Sequence, residues 1–144
     1  MAFRLSIENP EALTATIDSL SQVASESVLR QATVAGARVI FDEVKLRAPV
    51  GDATWERGKQ KRYPGFLRDN LLIAFDKERS AEGLRATYLV TWSKDAFYGR
   101  FLEYGTSKMA ARPFLRPAYD ATKAAAAQAF SDVIDAKVKE LTNV

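Results

Sequence analysis

Residues able to do chemistry are few in this chain, and they gather in one place. Glu103 stands beside Tyr104 and three positions after Arg100, the spacing at which a carboxylate and its electrostatic partner share a helix face. Asp69, Asp76 and Asp95 are the other candidate carboxylates, and their spacing forms no known carboxylate motif. The chain has no histidine and no cysteine. That removes the commonest general base, Ser-His-Asp chemistry, thiolate nucleophiles, disulfides and an ordinary zinc site. No P-loop, dinucleotide fingerprint or calcium loop is present, and Gly99 and Gly105 match no phosphate cradle. The expectation is therefore no enzyme, no cofactor and no metal. Glu103 is expected to fix its loop by pairing with a nearby arginine.

The stretch that carries Glu103 is unusual in another way. From Phe97 to Pro117 it interleaves Phe97, Tyr98, Phe101, Tyr104 and Phe114 with Gly99, Gly105, Pro113, Pro117, Arg100, Lys108, Arg112 and Arg116. Rings anchored on an irregular backbone, with cations between them, suit a contact surface better than a catalytic pocket. Phe97, Phe101 and Phe114 are expected to point inward. Arg100, Glu103, Tyr104, Lys108, Arg112 and Arg116 are expected to face a neighbouring subunit or partner.

A second cationic patch lies upstream. Residues 49–66 hold three glycines and two prolines among charges, and read as a long flexible loop. Within it Arg57, Lys59, Lys61 and Arg62 are flanked by Trp55 and Tyr63. Basic residues interleaved with aromatics suit single-stranded nucleic acid, so this loop is the candidate DNA-facing segment. A solvated loop that orders in an assembly is the plainer alternative.

The elements that must position these patches follow from periodicity. With 144 residues, 47% hydrophobic and 27% charged, the chain fits one soluble domain spanning 1–144. The net charge of +3 is too small to name a partner. No segment reads as a signal peptide or membrane span. Phe3, Leu5 and Ile7 alternate with Arg4 and Ser6 as a short strand or arm. Asn9-Pro10-Glu11 is a helix start. A long helix over 10–47 follows, marked by Leu13, Ile17, Leu20, Val28, Ala32 and Val39, with serines that place a break near 21–26. Gly36 inside it suits close packing on the sheet or on a neighbouring subunit, with a merely tolerated glycine as the equal alternative. Leu71, Ile73 and Phe75 form one strand, and 84–93 a second. The two pair as an antiparallel hairpin across a polar turn at 77–83, with Trp92 in the core. Residues 95–103 read as two helical turns ended by Gly105, and 117–141 as the last helix. The class is α+β: a long, bent N-terminal helix, a small antiparallel sheet and a C-terminal helix packed on it.

The run from Tyr98 to Ala118 resembles a family of phage tail components, the gene-product-ten-like head–tail joining proteins of long-tailed phages and prophages, similar in kind to the minor tail protein Z group. The residues that carry the likeness are Glu103-Tyr104-Gly105-Thr106-Ser107-Lys108-Met109 and Arg112-Pro113-Phe114-Leu115-Arg116-Pro117-Ala118. Ala48-Pro49-Val50 and Gly65-Phe66-Leu67-Arg68 match further upstream, separated here by about fifteen residues that include the basic loop. The resemblance implies a structural virion protein made in the bacterial host cytoplasm and located at the neck or tail. It implies a subunit that completes the tail or joins it to the head as a self-assembled ring, a hexamer among the arrangements it admits. Its implied partners are tail-tube or tail-terminator and head-connector proteins, with DNA passing and no membrane. The alternative from the residues alone is a nucleic-acid-binding module using the 57–62 loop.

Overall fold

A computed structural model describes residues 10–23 and 25–142. The strand pattern at 3–7 and the Asn9 cap lie outside them. Two helices take up the predicted N-terminal helix: α1, Pro10–Val23, and α2, Glu26–Arg47. The break falls within the serine-rich stretch. Ser25 is extended, and its Oγ accepts from the Val28 N–H at 3.4 Å, satisfying one of the donors a helix start leaves without a partner. At the other end the Ala48 N–H donates to the Val44 carbonyl at 2.9 Å, and Pro49, which has no N–H, ends the run.

Residues 49–66 are not a structureless loop. They contain a tight hairpin of β1, Trp55–Arg57, and β2, Gln60–Arg62, joined by Gly58-Lys59 with Gly58 at φ 60°. One helical turn, α3, Phe66–Asp69, leads into β3, Leu71–Phe75, which pairs antiparallel with β4, Tyr88–Trp92, with Ile73 opposite Val90. β4 is shorter than its apolar alternation suggests. Leu84 is 83% exposed, and the chain from 76 to 87 is a polar turn. Side chains take over the ladder there: Ser80 Oγ donates to the Asp76 carbonyl at 2.6 Å and accepts from the Thr87 N–H at 2.9 Å, while Ala81 and Arg85 bond to each other.

A 3-10 turn at Lys94–Ala96 precedes α4, Gly99–Tyr104, and the chain ends in α5, Leu115–Thr142. α5 starts two residues before the predicted position because Pro117 sits in its first turn, where no helical N–H is needed. α2 and α5 pack together over the sheet. Gly36 is the contact: a Cβ there would lie 2.9 Å from the Ala126 carbonyl oxygen. The core gathers Val44 and Ala48 of α2, Leu67, Leu71, Ala96, Phe114 and Ala118, with Val90 and Trp92 packed against it. Among the described residues no helix is long and apolar enough to cross a membrane.

Candidate interface site

The site is built on α4 and residues 105–114, which lead from it into α5. Gly99 opens α4 against the core: a Cβ would meet the Trp92 ring at 2.9 Å and Leu67 Cδ1 at 3.0 Å. Gly105 closes it at φ 74°, where a Cβ would press on the Ala111 N at 2.8 Å. Thr106 and Met109 then bond to each other across a tight turn that carries Lys108 at its tip. The Arg112 N–H donates to the Leu102 carbonyl at 2.7 Å, tying the segment before α5 back onto α4.

Glu103 holds this platform together. It is 7% exposed, the one buried charged side chain among the described residues. Its Oε2 accepts from the N–H groups of Phe114 at 2.7 Å and Leu115 at 2.9 Å, and its Oε1 from the Arg116 N–H at 3.1 Å. These are the donors that the start of α5 leaves unpaired, so a carboxylate from another helix caps it and meets the positive end of its dipole. The expectation that Glu103 faces a partner is therefore corrected. Its oxygens are consumed inside the subunit, by backbone N–H groups rather than by an arginine.

The other residues expected at the interface are exposed. Arg100, Lys108, Arg112 and Arg116 reach solvent, and Tyr104 is 75% exposed. Of the three rings expected inside, only Phe114 is buried, fully, with its ring centroid 6.3 Å from that of Trp92. Phe97 and Phe101 lie outside, edge to face at 6.2 Å. The reason is the shortness of α4: Glu103 and Gly99 take its inner face, and Phe101 turns outward with Arg100. The result is an exposed surface of rings and cations on a backbone held by one buried carboxylate.

The basic hairpin has its own geometry. Arg57 and Lys59 are exposed, and Lys61 Nζ lies 2.9 Å from Glu56 Oε1 across the two strands. Arg62 does not point into solvent. Its guanidinium stacks on Trp55 at 4.8 Å, Tyr98 at 4.6 Å and Phe97 at 5.0 Å, clamping the hairpin onto the start of the α4 segment. The two sequence patches thus meet in space, joined by Arg62. A cleft of about 320 Å³ lies between them, lined by Trp55, Arg62, Tyr63, Tyr98 and Arg112. Burial raises the Tyr98 phenol above its ordinary value, with Arg62 pulling the other way. A hydrogen bond with Asp69 raises Tyr63. Among the described residues no cluster of acidic side chains is arranged to hold a metal ion.

Fold and site together define an α+β protein whose most elaborated feature is a rigid, ring-rich, cationic surface. The family to which it belongs comes from sequence comparison: the profile of the bacteriophage HK97-gp10 tail-component family matches residues 11–105, well over half the chain, and the chain belongs to that family. No curated protein and no solved structure matches it at a significant level. The match ends at Gly105, so the Glu103 cap joins a residue inside the matched span to backbone beyond it. Membership makes this a tail component of a phage, with its place in the virion.

Proposed function

We propose that the chain is the subunit of a ring at the phage neck, where it completes the tail and joins it to the head through shape and charge without chemistry. The observation that carries this reading is the α4–α5 surface: Arg100, Tyr104, Lys108, Arg112 and Arg116 are exposed on a backbone fixed by the buried Glu103. A preorganised surface of aromatics and arginines is what binding hot spots use. Tail-tube, terminator or connector proteins are the partners proposed for it. Arg57 and Lys59, at the exposed tip of the hairpin, would face the passage taken by DNA.

Electron microscopy of particles made without this protein tests the proposal. Tails that stay unfinished and do not attach to filled heads are expected. Normal virions would exclude it.

A further inference from the structure

The sheet of β3 and β4 stops short of the helices that it supports. The Asp76 N–H donates to the Thr87 carbonyl at 2.9 Å and the Ser93 N–H to the Asn70 carbonyl at 2.8 Å. By antiparallel alternation, 87, 89, 91 and 93 bond inward to β3, and the backbone groups of Tyr88, Val90 and Trp92 point away from it. On the other edge those of Leu71, Ile73 and Phe75 do the same. Neither strand pairs with a third among the described residues. Two strands span about 10 Å, and two packed helices about twice that. The excess appears as an uncharged groove of about 580 Å³ between the outer edge of β4 and α5, lined by Gly36, Ile40, Val90, Leu115, Tyr119 and Phe130.

Natural sheets protect free edges with charge, proline or bulges. Here the strands read Leu-Leu-Ile-Ala-Phe and Tyr-Leu-Val-Thr-Trp, and their ladder runs without a bulge. An unprotected edge beside an open apolar groove has the geometry that strand addition uses. The two edges of one subunit suit each other: each strand has five residues and no charge. Both flanks carry one exposed charge of each sign: Arg68-Asp69 at the end of α3 before β3, and Lys94-Asp95 in the 3-10 turn after β4. A second copy docked strand to strand therefore sets neither flank against an excess of like charge.

We infer that β4 of one copy pairs antiparallel with β3 of a second copy, so that the sheet continues head to tail from subunit to subunit with α5 filling the space between successive α2 helices. The contact is heterologous, as a closed ring requires. A helix layer wider than its sheet curves naturally, with the strands inside and the helices outside. The inference rests on the ring reading above and supplies its subunit contact.

The absence of cysteine makes the test clean. In the pairing described, residue 74 of one copy and residue 89 of the next form a non-hydrogen-bonded pair on the outer sheet face, with Cα atoms about 4.5 Å apart and within disulfide reach. Ala74→Cys and Leu89→Cys variants, mixed in equal amounts and oxidised, are expected to give a mixed dimer, as the purified full-length chain or in tails assembled from both. Each variant alone should give little. A homodimer of Leu89→Cys in place of the mixed product, or no mixed product in either setting, overturns the inference. Val90→Pro in both backgrounds is the second arm. The Val90 N–H faces outward, so proline there spares the internal ladder but blocks the incoming strand. Unchanged circular dichroism with the mixed product reduced about tenfold is expected, the worth of a lost hydrogen bond. Undiminished cross-linking overturns the inference. If phage carrying Val90→Pro complete their tails normally while phage lacking the protein do not, the strand contact fails and the tail-completion reading stands.

Discussion

At the scale of single residues, Glu103 decides the most. Three backbone N–H groups converge on one carboxylate, and the Phe114 N–H among them is buried. Removing the carboxylate leaves those donors without partners and the start of α5 uncapped. Glu103→Ala is expected to cost about 3 kcal/mol, the range for lost hydrogen bonds to a charged group. In a chain of this size that lowers the melting temperature by about 10 °C. Glu103→Gln keeps one acceptor oxygen but sets an NH2 group against the remaining donor, and should cost roughly half as much. Thermal unfolding of the two variants checks this, and a Glu103→Ala protein as stable as the parent would contradict the cap. Glu103 was conspicuous in the sequence as a lone acid among rings and arginines. Its partners were not legible, because they are backbone groups eleven to thirteen positions away and no local periodicity encodes so distant a cap. The same limit applies to Arg62. Its place in a basic cluster was plain, but its stacking on Phe97 and Tyr98 needs a fold that brings residues some 35 positions apart together.

At the scale of elements, the helices were readable because their signals are local. Apolar residues recur at three and four positions, serines interrupt them near 25, and Gly105 and Pro49 end their segments. The extent of β4 was not readable, since Leu84 and Ala86 continue the alternation that Ser80 and Thr87 cut short by capturing backbone groups. Gly36 marks the tightest contact between elements. Alanine there would gain about 1 kcal/mol of helix propensity, but its Cβ would push against the backbone of α5 at 2.9 Å, and helices do not yield cheaply. Gly36→Ala is expected to lower stability by about 1 kcal/mol net in denaturant melts; a rise would show that α2 and α5 can separate freely. The hairpin clamp has a pH signature. Burial raises the Tyr98 phenol above its ordinary value near 10, so the folded state disfavours its phenolate. The contribution is therefore complete below pH ~10 and is lost as pH climbs through the raised value. Stability should fall more steeply above pH 10 in the parent than in Tyr98→Phe, as the difference between their urea midpoints at pH 8 and pH 11 would show.

At the scale of the whole molecule, function divides between what holds the surface and what the surface presents. Glu103, Phe114 and Gly99 point inward and govern stability. Arg100, Arg112 and Arg116 point outward and touch no carboxylate in the ion pairs of the described residues. Replacing these three with glutamate should leave the melting temperature nearly unchanged, because exposed substitutions usually shift stability by no more than ~0.5 kcal/mol. Under the proposed function it should nonetheless block tail completion, because a cationic surface turned acidic repels the partner proposed for it. The contrast with Glu103→Ala is the informative part: that variant should lose stability first and completion as a consequence. Thermal melts beside counts of finished particles separate the two outcomes. A triple variant that folds, enters virions and completes tails at the parental level would remove this surface from the proposed contact, and would leave the sheet edge to carry assembly alone.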